Sequence, residues 1–229
     1  MYRTYDGIAA IALEGAPGHL LDLVSIAGLE QDLRTADADS EVTGILIEGG
    51  PEMFCGGLDL ASIRSPEDSV ELAAALADLL RVMPRLSKPV AASAEGDALA
   101  SGASLLCCTD YAACRSGISI GTVEAGKGIW PMVAQVPLLH RVGARAAMEN
   151  LASGIPFPAE RARELGLVNI VTDDPRAAAV AWLRAASRGG EAARRGRPLA
   201  YHLADLDYDR ALDTALTHFS SMFRKDHTT

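Results

Sequence analysis

Apolar residues recur along this chain at two spacings, and each spacing predicts a different kind of element. Short, nearly continuous apolar runs at 8–13, 42–47 and 89–94 read as buried strands. Shorter strands are expected at 54–58, 111–114, 117–120 and 168–171. Residues 20–36 place Leu20, Leu23, Val24, Ala27 and Leu33 near helical spacing. Ser65-Pro66-Glu67-Asp68 supplies a cap, a proline at the first helical position and acids in the first turn. A helix is expected from there to about Leu86, with Val70, Ala73, Ala74, Ala77, Leu80 and Val82 inward. Further helices are expected at 102–108, 131–141, 144–153 and 158–165, with Gly154 and Gly166 as stops. From Pro175 on the pattern is helical, broken near Gly189-Gly190 and near Gly196-Arg197-Pro198. Over 206–223, Leu212, Ala215, Leu216, Phe219 and Phe223 share one face, and core packing is the plain reading of that stripe.

Two strand-to-helix junctions stand out. One is Phe54-Cys55-Gly56-Gly57-Leu58-Asp59-Leu60 and the other is Glu95-Gly96-Asp97-Ala98-Leu99-Ala100-Ser101-Gly102-Ala103-Ser104. Each follows a β-prone run and breaks on glycine, which lets the backbone turn and lets a ligand approach its amides. The first amides of a helix have no internal partner. Two such ends facing one point form an oxyanion hole, where preorganised N–H groups stabilise a carbonyl oxygen as it gains charge.

Composition narrows the classes. The 229 residues suit one domain of ordinary size with a helical appendage, and 49% are apolar, enough for a sizeable core. A net charge of −9 argues against a nucleic-acid surface but leaves room for a local basic cluster that binds phosphates. No apolar run reaches the roughly 20 residues of a membrane helix, and acids at Asp6 and Glu14 argue against a leader peptide, so a cytoplasmic location is expected. Cys55, Cys107, Cys108 and Cys114 have neither metal-ligand spacing nor a neighbouring histidine; reduced, buried thiols and no metal are expected.

The stretches 44–60, 88–104, 109–111 and 120–131, in this order and spacing, resemble the crotonase (enoyl-CoA hydratase/isomerase) superfamily. The resemblance covers roughly residues 5–172 and implies an α/β fold, the crotonase ββα superhelix. Residues 1–172 would form the spiral core and 173–229 a C-terminal helical region of the same fold. It implies an acyl thioester substrate, carried on coenzyme A or on the phosphopantetheine of an acyl carrier protein, with no separate cofactor. It also implies a homotrimer or hexamer. The stretches around Glu48 and over 128–143 look like crotonases of polyketide and non-ribosomal peptide pathways. One such subgroup dehydrates hydroxymethylglutaryl groups on a carrier protein; another assists dihydroxyphenylacetyl-CoA formation. Both fit.

Carried over by position, the resemblance puts the oxyanion amides on Gly56 and Ser101. Substrate contacts fall on Leu58, Asp59, Leu21 and Trp130. The family's hydratases use two glutamates; the first position here is Ser104, which cannot act as a carboxylate base, and the second is Glu124. One carboxylate beside an oxyanion hole suits dehydration or double-bond isomerisation rather than two-glutamate hydration. The rival expectation is an accessory protein that binds a thioester or a partner without turnover. Gly117-Ile118-Ser119-Ile120-Gly121 matches the nucleophile elbow of α/β-hydrolases, but the residues after it start a helix poorly. His140 reads as a packed or surface histidine, and Lys127 as a solvated lysine or a partner for a substrate carboxylate.

Overall fold

The computed structural model describes residues 2–222, so Phe223 lies outside the described residues. The chain begins with β1 (Arg3–Tyr5) and β2 (Ile8–Ala12), an antiparallel hairpin turned by Asp6 and Gly7, both at positive φ. After β3 (Leu20–Leu21) comes α1 (Leu23–Ala38), started by a capping box in which Asp22 and Ser25 exchange bonds. Then follow β4 (Gly44–Glu48), β5 (Met53–Cys55), β6 (Gly57–Leu58) and α2 (Pro66–Val82). The next unit is β7 (Val90–Ala94), β8 (Asp97–Leu99) and α3 (Ser101–Cys107). It is followed by β9 (Tyr111–Cys114), β10 (Ser119–Gly121) and α4 (Gln135–Leu151). The chain continues through β11 (Phe157–Pro158), α5 (Ala159–Leu165), β12 (Ile170–Val171), α6 (Pro175–Ala186), α7 (Gly190–Ala204) and α8 (Tyr208–Met222).

Successive units send one strand to each of two sheets and then a helix outward. The larger sheet has the order β1-β2-β4-β7-β9-β12, parallel from β2 onward. The second has the order β11-β10-β8-β5, and β3 pairs with β6 in a short third sheet. This strand-strand-helix progression is the ββα superhelix of the crotonase fold. Its centre is dry: all five residues of β7 are buried, and Ile45, Leu46 and Ile47 of β4 are fully covered. Each such β4 side chain stabilises the fold by roughly 1.5–3 kcal/mol.

Two cations hold the helix ends, Lys88 buried and Arg141 at the surface. Nζ of Lys88 donates to the carbonyls of Ala36, at 2.7 Å, and Asp39, at the C-terminus of α1. The Arg141 guanidinium donates to the carbonyls of Cys107 and Thr109, closing α3. Both place positive charge where a helix leaves carbonyls unpaired.

Helix α6 lies on the outer face of the large sheet, where Ala179 and Leu183 meet Ile8, Leu46, Ala91 and Ala113. Tyr111 and Trp182 stack there, ring centroids 5.2 Å apart. Helix α7 is tied down by one buried network. Arg197 Nε donates to Asp110 Oδ2 at 2.6 Å and its Nη1 to the carbonyls of Met83 and Leu86. The hydroxyl of Tyr201 donates to Asp110 Oδ1 at 2.7 Å, and the amide of Val90 to Oδ2.

Three expectations from the pattern need correcting. In α2 the buried row is Leu72, Leu76, Leu79, Leu80 and Val82, while Val70 is 69% exposed. The leucines, bulkier than the alanines, take the inner face. Helix α7 runs unbroken through Pro198. A proline there costs about 3 kcal/mol of helix propensity, which the anchoring of Arg197 and Tyr201 on either side of it offsets. The break expected between helices at 131–141 and 144–153 is kept: Gly143, at φ 76°, leaves the helical region and divides α4 into two helical segments. The stripe on α8 is not core: Leu212, Leu216 and Phe219 are 49%, 65% and 57% exposed.

Burial pushes the thiols of Cys55, Cys107, Cys108 and Cys114 up to about 12. At pH 8 that leaves roughly one thiol in 10⁴ as the reactive thiolate. Native protein mixed with a chromogenic disulfide reagent is therefore expected to label negligibly over minutes, and all four thiols to react once urea unfolds the chain. Fast labelling of the native protein would contradict this burial.

Candidate active site

The two junctions lie against each other. A Cβ placed on Gly57, where φ is 103°, would come within 2.6 Å of the Ala100 Cβ and 3.5 Å of the Ser101 nitrogen. One placed on Gly102 would come within 2.2 Å of the Cys55 carbonyl oxygen. Both positions require glycine because a side chain would force the junctions apart. Ala100 itself sits at φ 51°, an uncommon region for a residue with a Cβ, and it turns the chain into α3. Its amide donates to the carbonyl of Gly121 at 2.9 Å. That bond joins the β10 end to the turn one residue before Ser101 and three before Glu124.

Ser101 is buried and opens α3, so its N–H has no carbonyl a turn earlier in the helix. Gly56 differs from expectation. Its N–H donates to the carbonyl of Gly18 at 3.0 Å, so the pairing of β3 with β6 consumes it. The Asp59 N–H is likewise taken, by the Leu21 carbonyl at 2.9 Å. Leu21 is 1% exposed, and its side chain belongs to the core rather than to a cleft. Asp59 caps the next turn through the Ala61 amide. Leu58 is half-buried beside these groups.

Glu124 is half-buried at the start of a 3₁₀ turn over Ala125–Lys127. Its Oε2 accepts the N–H of Val123 at 2.8 Å, and its carbonyl accepts from Ile129 at 3.0 Å, folding the Ile129-Trp130 stretch back over it. Trp130 is 41% exposed, and its indole N–H donates to Gln135 Oε1. Ser104 is buried and its hydroxyl donates to the carbonyl of Ala134 at 2.7 Å, tying α3 to the start of α4. His140 and Lys127 are exposed. The segment after Gly121 forms no helix of the kind a nucleophile elbow needs, and the Ser119 amide is bound by Asp97. A groove of about 470 Å³ between β1, β2 and α6, lined by Tyr5, Leu46, Arg176 and Arg184, holds none of these groups.

Sequence reasoning missed Asn150. It lies on the inward row of α4 with Ala147 and Leu151, and it is fully buried. A carboxamide at a position spaced for an apolar residue was the signal.

Comparison with known proteins bears on the same arrangement. The enoyl-CoA hydratase/isomerase family model matches residues 3–227. A 172-residue stretch, 75% of this chain, is 30% identical to the peroxisomal bifunctional enzyme of Cavia porcellus, and it corresponds to 24% of that protein. The chain thus spans well under a third of that relative's length. An enoyl-CoA hydratase/isomerase family protein from Silicibacter pomeroyi superposes with a TM-score of 0.86 at 26% identity, covering 97% of this chain and 98% of that one. Pseudomonas aeruginosa DspI superposes with a TM-score of 0.90 at 21% identity, covering 97% and 94% of the two chains, which speaks to fold alone. With the paired junctions and the ββα spiral already in place, the match over 3–227 settles it: this chain belongs to the enoyl-CoA hydratase/isomerase family.

Proposed function

We propose that this protein acts on an acyl thioester through an enolate, with Glu124 as the single acid/base. The observation that carries this reading is the Ala100–Gly121 bond, which ties the segment of Glu124 to the turn that presents Ser101. We propose the amides of Leu58 and Ser101 as the oxyanion donors. The Gly56 and Asp59 amides are spent on Gly18 and Leu21; Gly57, at φ 103°, breaks the regular alternation after Gly56, and the N–H of Leu58, adjacent to that of Asp59, points to the opposite edge, away from β3.

The chemistry follows from these groups. Glu124 takes a proton from the carbon next to the thioester, and the electron pair moves onto the carbonyl oxygen, held by the two amides. The enolate then collapses in one of two ways. Return of the proton at another carbon shifts a double bond; departure of a hydroxyl from the β-carbon, protonated as it leaves, yields water and an enoyl thioester. Two-glutamate hydration is disfavoured because Ser104 stands in the first position and its hydroxyl is committed to Ala134. The acyl group is carried on coenzyme A or on a carrier-protein phosphopantetheine, in secondary metabolism and in the cytoplasm. Trp130, Leu58 and Asp59 border the acyl chain.

The test is a panel of acyl-CoA and acyl-carrier thioesters incubated in D₂O and read by mass spectrometry. The expected result is α-deuteration, loss of water or an isomer shift in at least one member. Binding without any change across the panel would replace this reading with the accessory one, which the single remaining carboxylate also fits.

Assembly follows from the exposed apolar stripe on α8 together with Ile129, Met132 and Val136, each at least 48% exposed. Homotrimers or hexamers cover such surface. Sedimentation at micromolar concentration is expected to show a species of three or six chains; a clean monomer would refute the assembly.

A further inference from the structure

The last turn of α4 and the residues just after it grip the segment carrying Glu124 from both sides. Asn150 is 0% exposed. Its Oδ1 accepts the N–H of Thr122 at 2.7 Å and the Thr122 hydroxyl at 2.9 Å. Its Nδ2 donates to the carbonyl of Thr122 at 2.8 Å and to that of Ile155 at 2.9 Å. Two donors and two accepted bonds satisfy the carboxamide, and three of the four bonds fall on one residue. Beyond Glu124, the backbone of Gly154 presses on the turn that follows. A Cβ there would lie 2.4 Å from the nitrogen of Gly126 and 3.3 Å from the carbonyl carbon of Ala125.

One peptide plane links Asn150 to the carboxylate. The Thr122 carbonyl accepts from Asn150, and the Val123 N–H of the same plane donates to Glu124 Oε2. A trans peptide is rigid and points its C=O and N–H in opposite directions. Fixing the oxygen therefore fixes the direction of the N–H that holds the carboxylate, and hydrogen bonds in series polarise one another. A packing role alone would be met at less risk by leucine, because a buried amide is costly unless fully bonded.

We propose that Asn150 is a positioning residue: through the Thr122–Val123 peptide it sets the orientation of the Glu124 carboxylate relative to the Ser101 amide. This rests on the reading of Glu124 as the base. A misplacement of about 1 Å in such a site costs on the order of 10²-fold in rate.

The experiment is a double-mutant cycle on α-deuterium exchange, using the panel acyl-CoA that wild type labels fastest. Variants are Asn150→Leu, Glu124→Gln and both together, with isosteric Asn150→Asp as the replacement if the leucine variant does not fold. Circular dichroism confirms folding. Asn150→Leu is expected to lose about 10²-fold in kcat with KM little changed, and to lose nothing further when Glu124 is already glutamine. An equal loss in the Glu124→Gln background would show that Asn150 acts independently of Glu124 and overturn the proposal. So would a folded Asn150 variant with wild-type kcat, or a loss confined to KM. Failure of the underlying reading has its own signature: Glu124→Gln alone would keep wild-type exchange.

Discussion

Replacing Glu124 by glutamine is expected to slow turnover of the panel thioester by about 10² to 10⁴-fold, the usual range for a general base. That corresponds to roughly 3–5 kcal/mol of barrier. Glutamine keeps the shape of the side chain and its carbonyl oxygen can still accept from the Val123 N–H at Oε2's place. It cannot take the proton. Thioester binding is expected to stay within a few-fold of wild type, because the amides proposed to meet the carbonyl belong to the backbone. Steady-state kinetics with calorimetric binding separate the two effects. Near wild-type turnover would remove Glu124 from the mechanism.

Replacing Asp110 by alanine is expected to lower folding stability by about 3–5 kcal/mol, the usual cost of removing one partner of a buried ion pair. The side chains of Arg197 and Asp110 are only 8% and 14% exposed. Without Asp110 the guanidinium keeps its two carbonyl partners but loses its counter-charge, and Tyr201 and the Val90 amide each lose an acceptor. Nη2 of Arg197 is already buried without a partner among the described residues, so little slack remains for rearrangement. The measurement is the urea midpoint. An unchanged midpoint would mean that α7 is held by other contacts.

Much of the spiral was legible because its parts are local. The β-prone runs and the Ser65 cap act through neighbours in sequence, and the structure keeps both; the junction glycines were visible as breaks in the pattern, although Gly57 and Gly102 are needed because each lies against the other junction. The amide of Gly56 was not legible, because its partner Gly18 is a loop residue brought in only when β3 pairs with β6. The inward face of α2 depended on which rows of side chains the neighbouring helix and sheet could accommodate. That is a tertiary choice among residues all apolar enough to qualify. The continuity of α7 through Pro198 likewise depended on Asp110, 87 residues from Arg197. The proposed base, Glu124, came from its position, and what holds its segment could not be read there: Asn150 is 28 residues from Thr122.

The chain has two tryptophans, and the fold separates them. Trp182, on α6, is stacked on Tyr111 of the sheet, while Trp130 sits 41% exposed beside the Glu124 turn. The intrinsic fluorescence therefore resolves into two reporters. Trp130 is open to a collisional quencher such as iodide and, on the proposed reading of the site, is expected to respond to its occupancy, whereas the emission of Trp182 is expected to report whether α6 is seated on the sheet. Single Trp→Phe variants would turn this protein into its own optical probe of binding and of docking, without any added label.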